Sequence, residues 1–240
     1  MRKDHRPYFI KKAYNRFQKF YLKKFLKPEF ESLGHGIHAI KPWYMEVFGG
    51  PVRVGSFTTI IASPDSRVRL CVWSDKKDIH GIEIGDYCLI CPGTRISAAE
   101  KIIIGSNTMM ANGVYITDSD WHDLYDRSMP IGITKPVIIG DNVWLGDSAI
   151  IGKGVTIGNN SIIGAGSVVV KDIPENCIAA GNPAMVVRQL DPERKIVTRG
   201  DWLSDPKEVG RQFDLLDRDL LRGNTVFGWL RSLVAPRHQD

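Results

Sequence analysis

The sequence predicts an all-β fold, a parallel β-solenoid carrying helical arms at its N- and C-terminal ends, on three observations. Aliphatic residues recur every six positions without a break at Ile139, Leu145, Ile151, Ile157, Ile163 and Val169. Glycine follows each of the first five, and a small or β-branched residue (Val143, Ala149, Val155, Ser161, Ser167) stands four places after each. Outside this region the period disappears, and two amphipathic segments flank it.

A period of six is neither the 3.6 of a helix nor the two of a single long strand, though it is a multiple of two. It fits short flat strands joined by turns, each sending one aliphatic side chain into a shared core while successive coils stack at the ~4.8 Å of backbone pairing. Gly140, Asp141, Asn142, Gly158, Asn159 and Asn160 suit the corners, where a positive φ or crowding penalises other residues. An upstream block repeats the pattern less cleanly through Ile84, Ile90 and Ile96, then, after two extra residues, Ile104, Met110 and Ile116. Val54 and Ile60 are assigned to an earlier, irregular coil. The predicted organisation is an arm over 1–33, a coiled body over 34–190 and a C-terminal extension over 191–240. Between Thr117 and Pro136 the period stops and then resumes, which marks 117–136 as a loop thrown out of the coil. Long loops in compact domains are often functional.

The run I-G-D-N-V-W-L-G-D-S-A-I-I-G-K-G-V-T-I-G from Ile139, with I-I-G-A-G-S-V-V-V-K-D-I-P and A-G-N-P-A-M-V-V-R ending at Arg188, closely resembles the hexapeptide-repeat acyltransferases. Maltose, galactoside and surface-polysaccharide O-acetyltransferases are the groups it is most similar to. The resemblance spans Ile82 to Arg188. It implies a left-handed parallel β-helix, a homotrimer with active sites between neighbouring subunits, acetyl-CoA as acyl donor and a saccharide or lipid-linked glycan as acceptor. It requires no metal.

In that family the excursion loop carries a catalytic histidine, and here the loop reads T-D-S-D-W-H-D-L-Y-D-R, with His122 its one histidine. Acyl transfer from a thioester to an alcohol needs a base, and imidazole titrates in the right range. Asp118, Asp120 and Asp123 are the candidates to orient its ring. By matched position, donor contacts fall on Trp144, Gly146, Asp147, Ala165, Lys171 and Arg188. Small residues let a pantetheine arm approach the backbone, while Lys and Arg neutralise phosphate. The sequence departs from the small-sugar enzymes where their acceptor-binding F-N-x-T is replaced by C-P-G-T, with Gly93. Met185 stands for a frequent arginine, and Val170 for a threonine. A sugar N-acyltransferase of the same fold and a non-catalytic solenoid scaffold are the competing readings.

The net charge of +5 hides an asymmetry. The first 27 residues hold ten Lys or Arg against Asp4 alone, leaving 22 basic and 26 acidic residues in the remainder. The basic character therefore belongs to one arm, and nucleic acid is not an expected partner. Phe9, Ile10, Ala13, Tyr14, Phe17, Phe20, Tyr21, Phe25 and Leu26 recur at helical spacing, with lysines and arginines largely opposite. Such a helix suits either an anionic membrane surface or packing on the coil. The C-terminal segment is expected to cover the open end of the solenoid. The four cysteines read as reduced packing thiols, no apolar run approaches the ~18 residues of a membrane span, and the N-terminus lacks the apolar stretch of a signal peptide. A cytoplasmic location, with peripheral contact at the inner membrane face through the N-terminal helix, is the expectation.

Overall fold

The computed structural model describes residues 3–74, 76 and 78–236. They fall into two units, Tyr21–Trp202 and a smaller one made of Met1–Phe20 with Leu203–Asp240.

The larger unit is a three-faced coil. Its strands gather into sheets of six, eight and six members, and consecutive turns of the chain supply neighbouring strands in each. Three six-residue steps make one turn. On the first face Ile104, Ile139 and Ile157 lie in register, on the second Met110, Leu145 and Ile163, and on the third Ile116, Ile151 and Val169. All nine are at most 1% exposed. The residues four places on, Val143, Ala149, Val155, Ser161 and Ser167, are buried as well, so two of every six side chains fill a narrow core. Each fully buried Leu or Ile contributes roughly 1.5–3 kcal/mol. Parallel pairing supplies the backbone hydrogen bonds that such short strands cannot make alone.

The coil begins earlier than its regular period. Val54 pairs with Ile84 and Ile60 with Ile90, so both belong to a complete turn. A further turn precedes it, with Leu33 beside Val54, Ala39 beside Ile60 and Val47 beside Leu70. Its first strand, Ser32–Leu33, already lies within the segment read as arm.

Corners of the coil follow two rules. Phe57, Tyr87, Asn107, Asn142, Asn160 and Asn176 all have φ between 55° and 63° and form one column between the first and second faces. Asparagine tolerates this left-handed conformation, and the Asn142 amide donates to Asn160 (3.0 Å), which donates in turn to Asn176 (2.8 Å). At the other end of the column the same backbone is taken by aromatic residues, with Phe57 and Tyr87 stacked at 5.3 Å. The glycines that follow the aliphatic positions serve differently. Gly146 does not have a positive φ; a Cβ there would lie 2.6 Å from the Ala165 nitrogen on the next turn. Contact between turns, not left-handed geometry, excludes a side chain at this site.

Both ends of the core are covered. Leu22, Leu26 and Phe30, from the helical turns before the first strand, are buried in it. At the far end the chain folds back as an antiparallel hairpin, Cys177–Gly181 with Ala184–Gln189. Still within the larger unit, the one-turn helix Arg199–Trp202 lies along a corner, where Arg199 donates to the Tyr87 carbonyl (2.8 Å) and the Gly200 N–H to Asn107 (2.7 Å).

The smaller unit holds most of the helix Tyr8–Tyr21 and the helices Pro206–Leu220 and Val226–Val234. The latter two start on side-chain caps. Asp205 accepts from the Lys207 and Glu208 N–H groups, and Thr225 from that of Gly228. The aromatic stripe expected on one buried or covered face divides: Leu26 is buried, whereas Phe9, Phe17, Phe20 and Phe25 are each more than half exposed.

If the stacked aliphatic ladder holds the coil, Leu145→Ala should cost about 2–5 kcal/mol and Ile163→Val about 1 kcal/mol in urea unfolding of the whole chain. Equal, negligible losses at both positions would mean that the ladder is not the source of stability.

Candidate active site

The excursion loop leaves the coil at the corner between its third and first faces and is pinned at its root. Ser119 bridges Thr134, and backbone hydrogen bonds join Asp120 to Ile133 (3.0 Å), Gly132 to Asp120 (2.8 Å) and Lys135 to Asp118 (2.8 Å). Gly132 fits there because a Cβ would stand 2.4 Å from the His122 carbonyl oxygen. This narrow neck spans the long insertion, so Ile116 and Ile139 keep their places in the ladder.

Side chains tie the neck to three turns of the coil. Asp118 is fully buried and accepts three backbone N–H groups, from Ala99 (2.7 Å), Glu100 (2.8 Å) and Lys101 (2.7 Å). Burial pushes its carboxyl above the ordinary carboxylate range, and the three amide donors pull the other way. Asp120 meets Lys153 at 2.6 Å, with both side chains 29% exposed. Thr134 donates to Glu100 (2.6 Å). Trp121 donates to the Tyr115 hydroxyl (3.2 Å), and Arg95 stacks 3.8 Å from the Tyr115 ring centre.

These attachments assign work to the three aspartates. Asp118 spends both oxygens on the turn at Ala99–Lys101, Asp120 is paired with Lys153, and Asp123 accepts from the Tyr125 and Asp126 N–H groups of its own turn. Those two bonds hold the Asp123 carboxyl below its ordinary range, with Asp126 the larger contributor. None of the three touches the imidazole of His122, which is exposed and makes no hydrogen bond to another described residue. Within this chain their hydrogen bonds shape and hold the loop. Lys153, Glu100, Thr134 and the Trp121–Tyr115–Arg95 set were not singled out from the sequence. Their partners stand 33 or 34 residues apart for the first two contacts, and only the insertion between two turns brings them together.

The matched donor residues occupy other edges. Trp144 lies on the second face, 47% exposed, between Met109 and Ile162. Gly146, Asp147 and Ala165 lie at the corner between the second and third faces, where the Gly166 N–H donates to the Asp147 carbonyl (2.7 Å). Gly93, Gly113, Ser148 and Gly166 share that corner, all at positive φ. The C-P-G-T departure is thus an ordinary corner in the same column as the donor positions. Arg188 is exposed on the terminal hairpin, beside Ile178. Lys171 is exposed at the corner from which the loop springs, together with Lys153. The sequence-matched residues therefore divide between two edges of one coil: His122 and Lys171 on one, Trp144 to Asp147 and Ala165 on and beside another.

A coil of stacked six-residue steps with a histidine-bearing loop at one edge defines a class, and comparison with known proteins specifies it. Residues 136–171 match the model of the bacterial transferase hexapeptide repeat (six repeats). Over 118 residues, 49% of its length, the chain is 42% identical to an acetyltransferase-named protein of Saccharomyces cerevisiae, covering 60% of that protein. It is also 42% identical over 118 residues to the galactoside O-acetyltransferase of Escherichia coli K12, 49% of each chain. A solved N-acyltransferase mutant from Bacillus cereus, AntD, superposes with a TM-score of 0.51 over 79% of this chain and 96% of its own at 16% identity, a likeness of fold. The chain spans about three-fifths or less of the length of these curated relatives. Residues 136–171 are thus similar to the hexapeptide-repeat transferases.

Removing the buried anchor should free the loop without unwinding the coil. Asp118→Ala leaves three amide donors without an acceptor and should cost about 2–4 kcal/mol. Limited proteolysis should then cut between Trp121 and Ile133 many times faster than in the parent chain. Unchanged cleavage would show that Asp118 does not hold the loop.

Proposed function

We propose that the protein transfers an acetyl group from acetyl-CoA to a saccharide hydroxyl, with His122 as general base, working as a cytoplasmic homotrimer of left-handed β-helices. The observation that carries this reading is the presentation of His122: an exposed ring with no hydrogen bond to another described residue, on a loop whose neck is fastened at Asp118, Asp120 and Thr134. A solvated loop histidine with no task would not need a buried, triply bonded carboxylate at its root.

The chemistry assigns each step to an atom. One imidazole nitrogen takes the proton of the acceptor hydroxyl as its oxygen attacks the thioester carbonyl carbon. The carbonyl electrons move onto oxygen, where a backbone N–H would stabilise the charge. When that intermediate collapses, the carbon–sulfur bond breaks and the thiolate recovers the proton from the imidazolium, leaving an ester and free coenzyme A. Transfer is direct, with both substrates bound at once. The Trp144 face would wall the acyl group, Gly146 and Ala165 would admit the pantetheine arm, and Lys171 and Arg188 would meet phosphate.

The division of these residues between two edges supports an assembly in which one copy offers the loop and its neighbour offers the donor corner. Names of relatives support a carbohydrate acceptor: besides the galactoside enzyme, a polysialic acid O-acetyltransferase of Escherichia coli O1:K1 is 43% identical over 91 residues, 37% of this chain and 30% of that one. A sugar amine is the second reading, favoured by the C-P-G-T sequence, where Pro92 and Gly93 replace the asparagine-bearing F-N-x-T that the resemblance would lead one to expect.

Incubation with acetyl-CoA and a panel of free, nucleotide-linked and lipid-linked sugars, read by mass spectrometry, should show one added acetyl mass. Hydroxylamine should remove it if the product is an ester and leave it if it is an amide. His122→Ala should lower the rate about 10²- to 10⁴-fold with an unchanged melting temperature. Full activity in that variant would refute the base assignment.

A further inference from the structure

The smaller unit exposes many of its large apolar side chains, although Leu221 is buried. In the helix Tyr8–Tyr21, Phe9 is 60% exposed, Phe17 51% and Phe20 56%, and a step of 100° per residue puts these three with Ala13 on one stripe. Lys12, Arg16 and Lys19 are exposed along one flank of that stripe. The other two helices also expose apolar residues. Leu216 and Leu220 are 52% and 68% exposed one turn apart, and Phe227, Leu230, Leu233 and Val234 are exposed by 80%, 50%, 64% and 85%.

Polar contacts join the elements of the unit. Tyr8 donates to Asp214, Arg218 pairs with Asp214 (2.9 Å) and lies over the Tyr8 ring, and the Asn224 amide donates to the Asp4 and Arg6 carbonyls (2.7 and 3.0 Å). A free water-facing surface does not favour this layout. Single exposed apolar residues are ordinary, whereas whole stripes on three helices mark a surface that meets something apolar.

We propose that this unit binds the surface of an anionic lipid bilayer, its helices lying in the interface with the Phe9–Phe20 stripe and the Phe227–Val234 stripe sunk among the acyl chains. Charge complementarity selects the occupant. The partner must be apolar and negative together, because Lys12, Arg16 and Lys19 flank the aromatic stripe and the first 27 positions hold ten basic residues against one acid. Phosphate headgroups above hydrocarbon meet both demands, and aromatic rings beside lysine are suited to that boundary. Two identical cationic stripes brought face to face would instead repel. Among the described residues no helix is long and apolar enough to cross a membrane, which agrees with lying on it. The inference stands on the helices alone and does not depend on the acyltransferase reading. It would bring a soluble coil to an acceptor held at a membrane.

Flotation of the full chain tests it, using phosphatidylcholine vesicles with and without about one-third phosphatidylglycerol. The chain should float with the anionic vesicles and at least tenfold less with the neutral ones. Combined Phe9→Ser, Phe227→Ser and Leu233→Ser should abolish flotation, as should Lys12→Glu with Arg16→Glu and Lys19→Glu, each with an unchanged circular dichroism spectrum. No flotation at low salt would overturn the proposal. So would flotation untouched by the serine substitutions, which would mean charge attraction alone. If the serine variant instead loses mass in sedimentation velocity without lipid, and the parent does not float, the stripes pack against a second copy and the proposal fails.

Discussion

Parallel pairing between successive turns makes a strict demand: each turn must return to the same registration after three faces, or one row of aliphatic side chains leaves the core. Two inward positions in six meet it. The stack of Ile104, Ile139 and Ile157, and its counterparts on the other faces, shows the demand satisfied across an insertion of about twenty residues. Extra chain is tolerated only where a corner already turns outward, so the excursion loop emerges at a corner and its two ends are drawn close. Much of the chemistry proposed for this protein follows from that requirement, because it fixes where a histidine can be carried out of the coil.

The same geometry explains why a single chain holds its site residues apart. Side chains on one edge cannot reach those on the next, since a packed core lies between them. The loop is fastened at the edge between the third and first faces, a different edge from the corner that carries Gly146 and Ala165. In the function proposed above, another copy of the coil alongside would join the two. The Asp118 and Asp120 attachments would then act as positioning devices, limiting how far the imidazole wanders.

The repeat, its two inward positions and the loop were legible in the sequence because periodicity records burial directly. Ile139 to Val169 could be placed in the core before any coordinates. The first turn was not, and the second was legible only through Val54 and Ile60, because the six-residue count breaks before Ile82 while the pairing stays intact. His122 was singled out through resemblance alone, and the contacts of its neighbouring aspartates were not legible at all. Asp118, Asp120 and Asp123 look equivalent as letters near His122, yet their partners lie at Ala99–Lys101, at Lys153 and within the loop itself. Contacts between turns depend on insertions, which spacing cannot reveal. The arms show a similar limit: the period of Phe9, Phe17 and Phe20 announces an apolar stripe without saying what covers it.

Subunit complementation tests the central claim most directly. His122→Ala removes the proposed base, and Ala165→Trp fills the donor corner at an exposed position of the same chain. Each variant alone should be inactive with acetyl-CoA and a working acceptor. Assembled together from differently tagged chains, they should regain activity, because some neighbouring pairs would combine an intact loop with an intact corner. Mixed assemblies that form, as shown by capture through both tags, yet remain as inactive as either parent would contradict an active site shared between copies.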